Sequence, residues 1–202
     1  ARLYVSLAAP GRSMKVLLMR TYIALLGSAK RAYDKDPKAA DPYMTLVGYF
    51  NSLRELGGSQ RIVEDEVRAR LLRIGMRHRV GETSSYFAER KIDYECVELT
   101  SRRDTDSVKE AKARLEKPFY EATKQHLPVD VALASNMISV GVDIPRLGLM
   151  VVCGQPKTTA EYIQASSRVG RDDARPGLVV TLANVHKPRD RSHFEHFTAY
   201  HE

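Results

Sequence analysis

The chain has 202 residues, of which 43% are hydrophobic and 28% are charged. This length suits one domain with a sizeable core, and the composition excludes a wholly disordered chain. Lys and Arg outnumber Asp and Glu by 32 to 25, which gives a net charge of +7 and a pI near 9.4. A basic balance favours a polyanionic partner such as nucleic acid, although many basic proteins simply have basic surfaces.

The cysteines and the lengths of the apolar runs indicate the cellular compartment of the protein. Cys96 and Cys153 lie in apolar runs without the spacing of a metal site or a redox pair. We therefore expect reduced, buried thiols in a cytoplasmic protein. No apolar stretch approaches the roughly 20 residues that cross a bilayer, and the first ten residues do not resemble a signal peptide. No membrane partner is expected.

The first 43 residues predict a lead-in to the main domain. They contain a short extended piece, a helix from about Ser13 to Tyr33, and a polar stretch with two prolines from Asp34 to Pro42. We predict that residues 1–43 continue from a preceding lobe and that the main domain covers residues 44–202.

From residue 44 onward, apolar runs of strand length alternate with amphipathic stretches of helical spacing. The predicted strands cover residues 45–50, 96–99, 129–134, 149–153 and 178–182, and the predicted helices cover 62–74, 108–115 and 159–168. Strands that are apolar on both faces and alternate with helices indicate a parallel sheet covered on both sides. Polar residues 76–95 interrupt the alternation and predict a mobile insertion, and residues 188–202 predict a C-terminal helix.

The segment from Tyr162 to Arg171 carries the strongest chemical signal. At 100° per residue, Gln164, Arg168 and Arg171 fall on one face of a helix. Two fixed guanidinium groups suit the charge that develops on a transferring γ-phosphoryl group, and they match phosphate oxygens better than lysine does. These three side chains are therefore candidate catalytic residues. For an isolated Arg-x-x-Arg, the alternative is a solvated basic face or a surface ion-pair network.

A second segment, residues 134–145, directly follows an apolar strand. In an open parallel sheet, ligands bind at the carboxyl ends of the strands, so we expect this loop at the site. Ser135 and Asn136 are candidate donors to a phosphate backbone. Gly141 would let the main chain approach a nucleotide, and Asp143 would accept from a ribose hydroxyl. The alternative is a helix-capping aspartate surrounded by turn residues.

In this order and spacing, the two segments resemble motifs V and VI of superfamily 2 helicases. The family patterns are Thr-(Asp/Asn)-x-x-x-x-Gly-x-Asp and (His/Gln)-x-x-Gly-Arg-x-Gly-Arg. The residues that match the second pattern are Gln164, Arg168, Gly170 and Arg171. The departures are Ser135 for Thr, Ala165 for a common Arg, and Ser167 for a common Gly. They argue against a DEAD-box protein, but they leave both arginine-finger positions in place.

Two shorter segments extend the resemblance to about residues 44–185. Asn51 and Ser52 end the first strand of the main domain, as motif IV does, and Ser101 and Arg102 resemble a Thr-Ser turn that contacts the nucleic-acid backbone. The family thus implies six residues on the nucleic-acid track: Asn51, Ser52, Ser101, Arg102, Ser135 and Asn136.

The residues of three stretches, 50–58, 98–102 and 154–162, resemble more narrowly the helicase subunit of DISARM anti-phage systems. The resemblance implies a RecA-like three-layer α/β/α fold with a mainly parallel sheet. It also implies ATP as cofactor, DNA rather than RNA as nucleic acid, and other defence-system subunits as partners.

Two parts of a complete motor do not occur in the sequence. There is no Gly-x-x-x-x-Gly-Lys-(Ser/Thr) loop, and the one Asp-Glu pair, Asp65-Glu66, lies inside an amphipathic helix. The resemblance implies that ATP is shared with an N-terminal RecA-like lobe, which also holds Mg²⁺. We predict that the chain alone is inactive and that it is the C-terminal lobe of an ATP-dependent helicase or translocase.

The alternative is a catalytically inert docking module for nucleic acid or protein, derived from such a lobe. A pure docking module would have no need to keep Arg168 and Arg171 beside Asp143. A metal site is not predicted, because His193, His196 and His201 lack further ligands at fitting positions.

Overall fold

The structure is a computed structural model that describes residues 1–123, 127–135, 143–172 and 174–202. Its strands are β1 (Arg2–Ala8), β2 (Leu46–Phe50), β3 (Val97–Leu99), β4 (Val131–Ala134), β5 (Leu149–Cys153) and β6 (Gly177–Ala183). They form one sheet in the order β1-β6-β5-β2-β4-β3, and all neighbouring strands run parallel. The predicted parallel sheet is confirmed.

Helices cover both faces of this sheet. They are α1 (Met14–Lys35), α2 (Pro37–Met44), α3 (Leu53–Arg61), α4 (Arg68–Leu71), α5 (Thr105–Glu116), α6 (Thr159–Ser166) and α7 (Pro188–Glu195). A π-helical turn, Ile62–Val67, joins α3 to α4, and single 3₁₀ turns cover Ile74–Met76 and Phe119–Glu121. One core cluster packs α1, α3 and α4 on the first face, and a second packs α5 and α6 on the other. The predicted three-layer α/β/α arrangement is confirmed.

Residues 1–43 are part of the same sheet and core. Strand β1 pairs with β6 over its full length, from Arg2 opposite Gly177 to Ala8 opposite Ala183. The inner face of α1 is buried against the sheet, with Tyr22 fully inaccessible to solvent. The sequence pattern did not indicate this, because a helix and a lone strand carry no signal of the partner with which they pair.

The predicted polar linker between Asp34 and Pro42 is wrong, because helix α2 begins there. Asp36 caps the helix by accepting from the Ala39 amide at 3.1 Å, and Pro37 occupies the first turn. Proline is tolerated at that position, since the first amides of a helix have no intrahelical acceptor. The polar residue Asp36 and the proline Pro37, which suggested a linker, are therefore the start of a helix.

The polar insertion is anchored at its second half. Residues 77–96 contain no helix or strand. The Ala88 amide donates to the Gly27 carbonyl at 3.0 Å, and the buried guanidinium of Arg90 pairs with Asp130 at 2.6 Å. Mobility of the insertion stays a prediction. At the other end of the chain, α7 stops at Glu195 and the following residues continue as turns, so the C-terminal helix is shorter than predicted.

Candidate functional site

The predicted site residues divide between the two edges of the sheet. Those that follow β2, β3 and β4 lie at the carboxyl edge, where these strands end: Asn51, Ser52, Ser101, Arg102 and Ser135. Asp143, Arg168 and Arg171 belong to the loops that lead into β5 and β6 at the opposite, amino edge. Asn136 and Gly141 lie outside the described residues.

At the carboxyl edge, three of the predicted residues share one cavity. It has a volume of about 520 Å³, and its lining includes Asn51, Ser52, Ser135 and Lys157. They come together because β2 and β4 are neighbouring parallel strands. Ser52 is the N-cap of α3 and accepts from the Glu55 amide at 3.2 Å. The remaining amides of the first turn of α3 favour an anion at this end.

Asn51 holds the ends of two strands together at this edge. Its side-chain amide donates to the carbonyls of Cys153 at 3.4 Å and Gln155 at 3.2 Å, which ties the end of β2 to the end of β5. Its buried Oδ1 atom has no hydrogen-bond partner within the described part of the chain. What Asn51 offers a ligand is therefore an acceptor oxygen, while its N–H groups are already engaged.

Ser101 and Arg102 follow β3, at the outer end of the sheet, and do not line that cavity. Glu98 accepts two hydrogen bonds from Arg102, at 2.5 and 2.7 Å, and a third from the Thr100 hydroxyl. The Arg102 hydrogen bonds hold the pKa of Glu98 below its usual range, although burial acts in the opposite direction. Glu98 thus fixes the half-exposed Arg102 at the rim of the edge, which gives this buried carboxylate a positioning role.

At the amino edge, the helix that carries the arginines is shorter than predicted. Helix α6 ends at Ser166, and Gly170 has a φ of +66°. The prediction that Gln164, Arg168 and Arg171 share one helical face is therefore wrong, because only Gln164 lies in the helix. Glycine is required at position 170, because a Cβ atom there would lie 2.5 Å from the backbone of Gly177 at the start of β6.

The fold brings Arg171 and Asp143 together, although they are 28 residues apart. Arg171 donates through Nε to the Ser167 carbonyl at 3.0 Å and forms an ion pair with Asp143 through another nitrogen. The Gly170 amide bonds the carbonyl of Leu147, two residues before β5, at 2.8 Å. The expectation that the loop 134–145 lies at the carboxyl ends is therefore correct for Ser135 and wrong for Asp143.

Two arginines that the sequence pattern did not single out hold this edge. Arg2 donates to the carbonyls of Val169 at 2.7 Å and Ser167 at 3.2 Å, which places a cation at the C-terminal end of α6. Arg146 is buried and bonds the Asp41 carboxylate at 3.1 Å and the Leu115 carbonyl at 2.6 Å. Burial lowers the pKa of Arg146, and Asp41 opposes the shift. No sequence signal could have found these contacts, because each spans a long separation.

The remaining candidate groups are packing residues. His193 is buried and stacks on Tyr200 at 4.3 Å, and a ring nitrogen of His201 lies 3.1 Å from the Tyr162 hydroxyl. Burial raises the pKa of both Cys96 and Cys153 to about 12. In the described ranges, no three His, Cys, Asp or Glu side chains are grouped as metal ligands would be. None of the helices there is long and apolar enough to cross a bilayer.

Comparison with known proteins identifies relatives of the chain. Residues 68–173 match the model of the helicase conserved C-terminal domain. The chain is 45% identical, over 203 aligned residues, to the DISARM protein DrmA of Bacillus paralicheniformis. The alignment covers 100% of this chain and 17% of that relative. The chain therefore spans about a sixth of the relative's length. The resemblance to the DISARM helicase subunit is confirmed.

Two solved structures share the fold. One is the Mss116p DEAD-box helicase domain 2 bound to an RNA duplex, with 12% identity and a TM-score of 0.52 over 89% of this chain and 53% of that one. The other is the DUF1998 helicase MrfA bound to DNA and AMPPNP, with 15% identity and a TM-score of 0.53 over 99% of this chain and 22% of that one. At these identities the similarity concerns the fold alone, and the RecA-like assignment is confirmed.

Proposed function

The chain belongs to the helicase conserved C-terminal domain family, and from this premise we propose that it is the second RecA-like lobe of an ATP-dependent nucleic-acid helicase or translocase. The observation that carries the proposal is the pairing of Arg171 with Asp143 at the edge opposite the polar cavity of Ser52 and Ser135. The amino edge would then bind the nucleotide, and the carboxyl edge would bind the nucleic-acid strand. Since the relative is about six times as long, the phosphate loop and the Mg²⁺ ligands are proposed to lie in another lobe.

The chemistry of the amino edge fits a nucleoside triphosphate. Arg171 has five N–H donors, and its contacts with Ser167 and Asp143 use only part of them. Its ion pair with Asp143 is half-exposed, and such pairs contribute only about 0–1 kcal/mol, so it can open when the lobes close. Arg168 and Arg171 would then contact the γ-phosphate, with Gln164 beside them, and Asp143 would accept from the ribose. ATP supplies the phosphoryl group whose transfer drives the motor.

The carboxyl edge fits the backbone of single-stranded nucleic acid. Strands β3, β4 and β2 are consecutive in the sheet, so Ser101, Ser135 and Ser52 follow one another along this edge. Helix α3 starts there with its unpaired amides, and Lys157 adds a positive charge to the cavity. We propose DNA as the nucleic acid, as the resemblance to the DISARM helicase subunit implies. Other DISARM subunits are the proposed protein partners.

The test is the loss of ATP turnover when the arginines are replaced in the whole protein. Arg168→Ala or Arg171→Ala should lower turnover by about 10³-fold, the scale of a lost arginine finger. Lysine should rescue poorly, because an ammonium group cannot reproduce the bidentate fork. The matched control is Arg175→Ala, since Arg175 pairs with Asp172 three residues earlier in a half-exposed ion pair.

A second candidate, the inert docking module, is favoured by the same ion pair if that pair is purely structural. It predicts that Arg171→Ala lowers the thermal midpoint of the protein. Any loss of activity in this variant would then come from a smaller folded fraction. Unchanged turnover per folded molecule after either arginine replacement would reject the finger assignment.

A further inference from the structure

A second cavity lies on the carboxyl edge, on the face of the sheet that carries α1 and α3. It is a groove of about 360 Å³ between the first turns of α1, one side of α3 and the start of α7. Gly154 and Asn184, which follow β5 and β6, form its end. The motif residues lie outside this groove, so the proposed function so far makes no use of it.

The groove combines an apolar floor with a cationic rim. Leu18, Ile62 and Met14 supply the apolar surface. Lys15, Arg54 and Lys187 are exposed on the rim, and Lys187 pairs with the Glu55 carboxylate at 3.2 Å. Within the described part of the chain, the structure gives Lys15 and Arg54 no ion pair. A ligand with a flat apolar body and anionic ends is complementary to this surface.

The groove also contains an acceptor that has no donor. The Oε2 atom of Glu55 is buried and has no hydrogen-bond partner among the described residues. Buried polar atoms are normally satisfied, so this unsatisfied acceptor in the groove indicates a ligand that brings an N–H donor.

We infer that this groove binds one unstacked nucleobase of the strand that crosses the carboxyl edge. The apolar floor would contact the face of the base, Arg54 and Lys15 would contact the flanking phosphates, and Glu55 would accept from an exocyclic amine. Arg54 and Glu55 lie in the first turn of α3, two and three residues after Ser52, so a nucleic-acid strand on the polar cavity reaches the groove without leaving the edge. An acidic peptide would also fit the rim, but its side-chain carboxylates only accept hydrogen bonds and cannot donate to Glu55.

The inference predicts a base preference, and it rests on the proposed nucleic-acid binding. Cytosine presents its N4 amine to a carboxylate, whereas uracil presents its one N–H between two carbonyl oxygens that a carboxylate repels. Fluorescence anisotropy of the whole protein should therefore show oligo-dC binding about fivefold more tightly than oligo-dU of equal length, the scale of one hydrogen bond.

Two variants test the residues. Glu55→Gln should bring the ratio close to one, since an amide can donate to uracil as well as accept from cytosine. Gly58→Leu should do the same by filling the groove, because Gly58 lines it and a Cβ atom there meets nothing within 4 Å. Gly57→Leu is the matched control: it is the preceding residue of the same helix, has equal space, does not line the groove, and should keep the preference.

The outcomes separate the inference from the proposed function. Equal binding of oligo-dC and oligo-dU by the unaltered protein would overturn the base site and leave nucleic-acid binding intact. No binding of either oligonucleotide would overturn both. A preference that survives Gly58→Leu, together with a lower thermal midpoint of the whole protein in this variant than in Gly57→Leu, would identify a protein segment as the occupant.

Discussion

The two edges of the sheet are built in different ways. At the carboxyl edge, short-range contacts hold two of the functional side chains: Ser52 caps α3 through a residue three positions later, and Glu98 holds Arg102 four positions later. Asn51 is the exception there, since it bonds the carbonyls of Cys153 and Gln155. At the amino edge, the contacts are long-range, such as Arg2 with Val169 and Arg146 with Asp41. A local contact forms whenever its helix or turn forms. A long-range contact needs the complete sheet, so replacements at the amino edge should be more costly to the fold.

The largest expected effect is at the buried pair of the amino edge. Arg146→Met leaves the Asp41 carboxylate, which is 2% exposed, without its cation. Removal of one partner of a buried pair costs about 3–5 kcal/mol. The free energy of unfolding from urea titration measures it. The control is Arg171→Met, which breaks an exposed pair at the same edge and should cost at most about 1 kcal/mol. Equal losses would mean that burial does not distinguish the two pairs.

A smaller loss is expected where two backbones pass at the same edge. A Cβ atom on Gly177 would lie 2.8 Å from the Gly170 Cα atom, and no flexible side chain can yield there. Gly177→Ala should therefore destabilise by about 1–3 kcal/mol, the range for overpacking, and should displace the turn that carries the arginines. Gly57→Ala, in open space on α3, should stabilise by about 0.5–1 kcal/mol. Thermal melts compare them, and a stable Gly177→Ala with full ATP turnover would contradict the tight contact.

At the carboxyl edge, the loss of the α3 cap should be modest for stability and clear for binding. Ser52→Ala removes the acceptor for the Glu55 amide and should cost about 1 kcal/mol. It also removes a polar group from the proposed strand site, so affinity for single-stranded DNA should fall. Asp36→Ala is the control, because it removes the cap of α2 without touching that cavity. If both variants bind the strand equally well, the cavity is not on the track.

The smallest effect concerns Glu98, whose pKa is lowered mainly by its hydrogen bonds from Arg102. A carboxyl group with a lowered pKa stabilises the fold above its ordinary pKa, and this contribution is lost as the pH falls through the lowered value. The stability difference between the unaltered protein and Glu98→Gln should be under about 1 kcal/mol at pH 7, because Arg102 is half-exposed. It should shrink as the pH falls through the lowered pKa of Glu98. Urea titrations at pH 7 and pH 3 measure it, and a difference that grows in acid would be contrary to the assignment.

The sequence alone determined most of the fold of the chain. Runs that are apolar on both faces, such as Leu149–Cys153, can be stable only in a sheet covered on both sides, so the parallel three-layer fold followed from the pattern. The helix α1 was predicted from about Ser13 to Tyr33, close to its observed bounds, Met14–Lys35. The motif residues were visible because Gln164, Arg168, Gly170 and Arg171 have a fixed spacing within one short segment.

Only the tertiary structure decided where those residues lie. Helix α6 ends at Ser166, so Arg168 and Arg171 lie outside the helix on which periodicity had placed them. The close approach of Gly170 to Gly177 holds their turn against β6. The strand order puts β1 beside β6. This brings Arg2 to the carbonyls of Ser167 and Val169, in the turn that carries Arg168 and Arg171. Periodicity reports the conformation of neighbouring residues. It has no information on which distant segments pair, because pairing depends on the packing of the whole sheet.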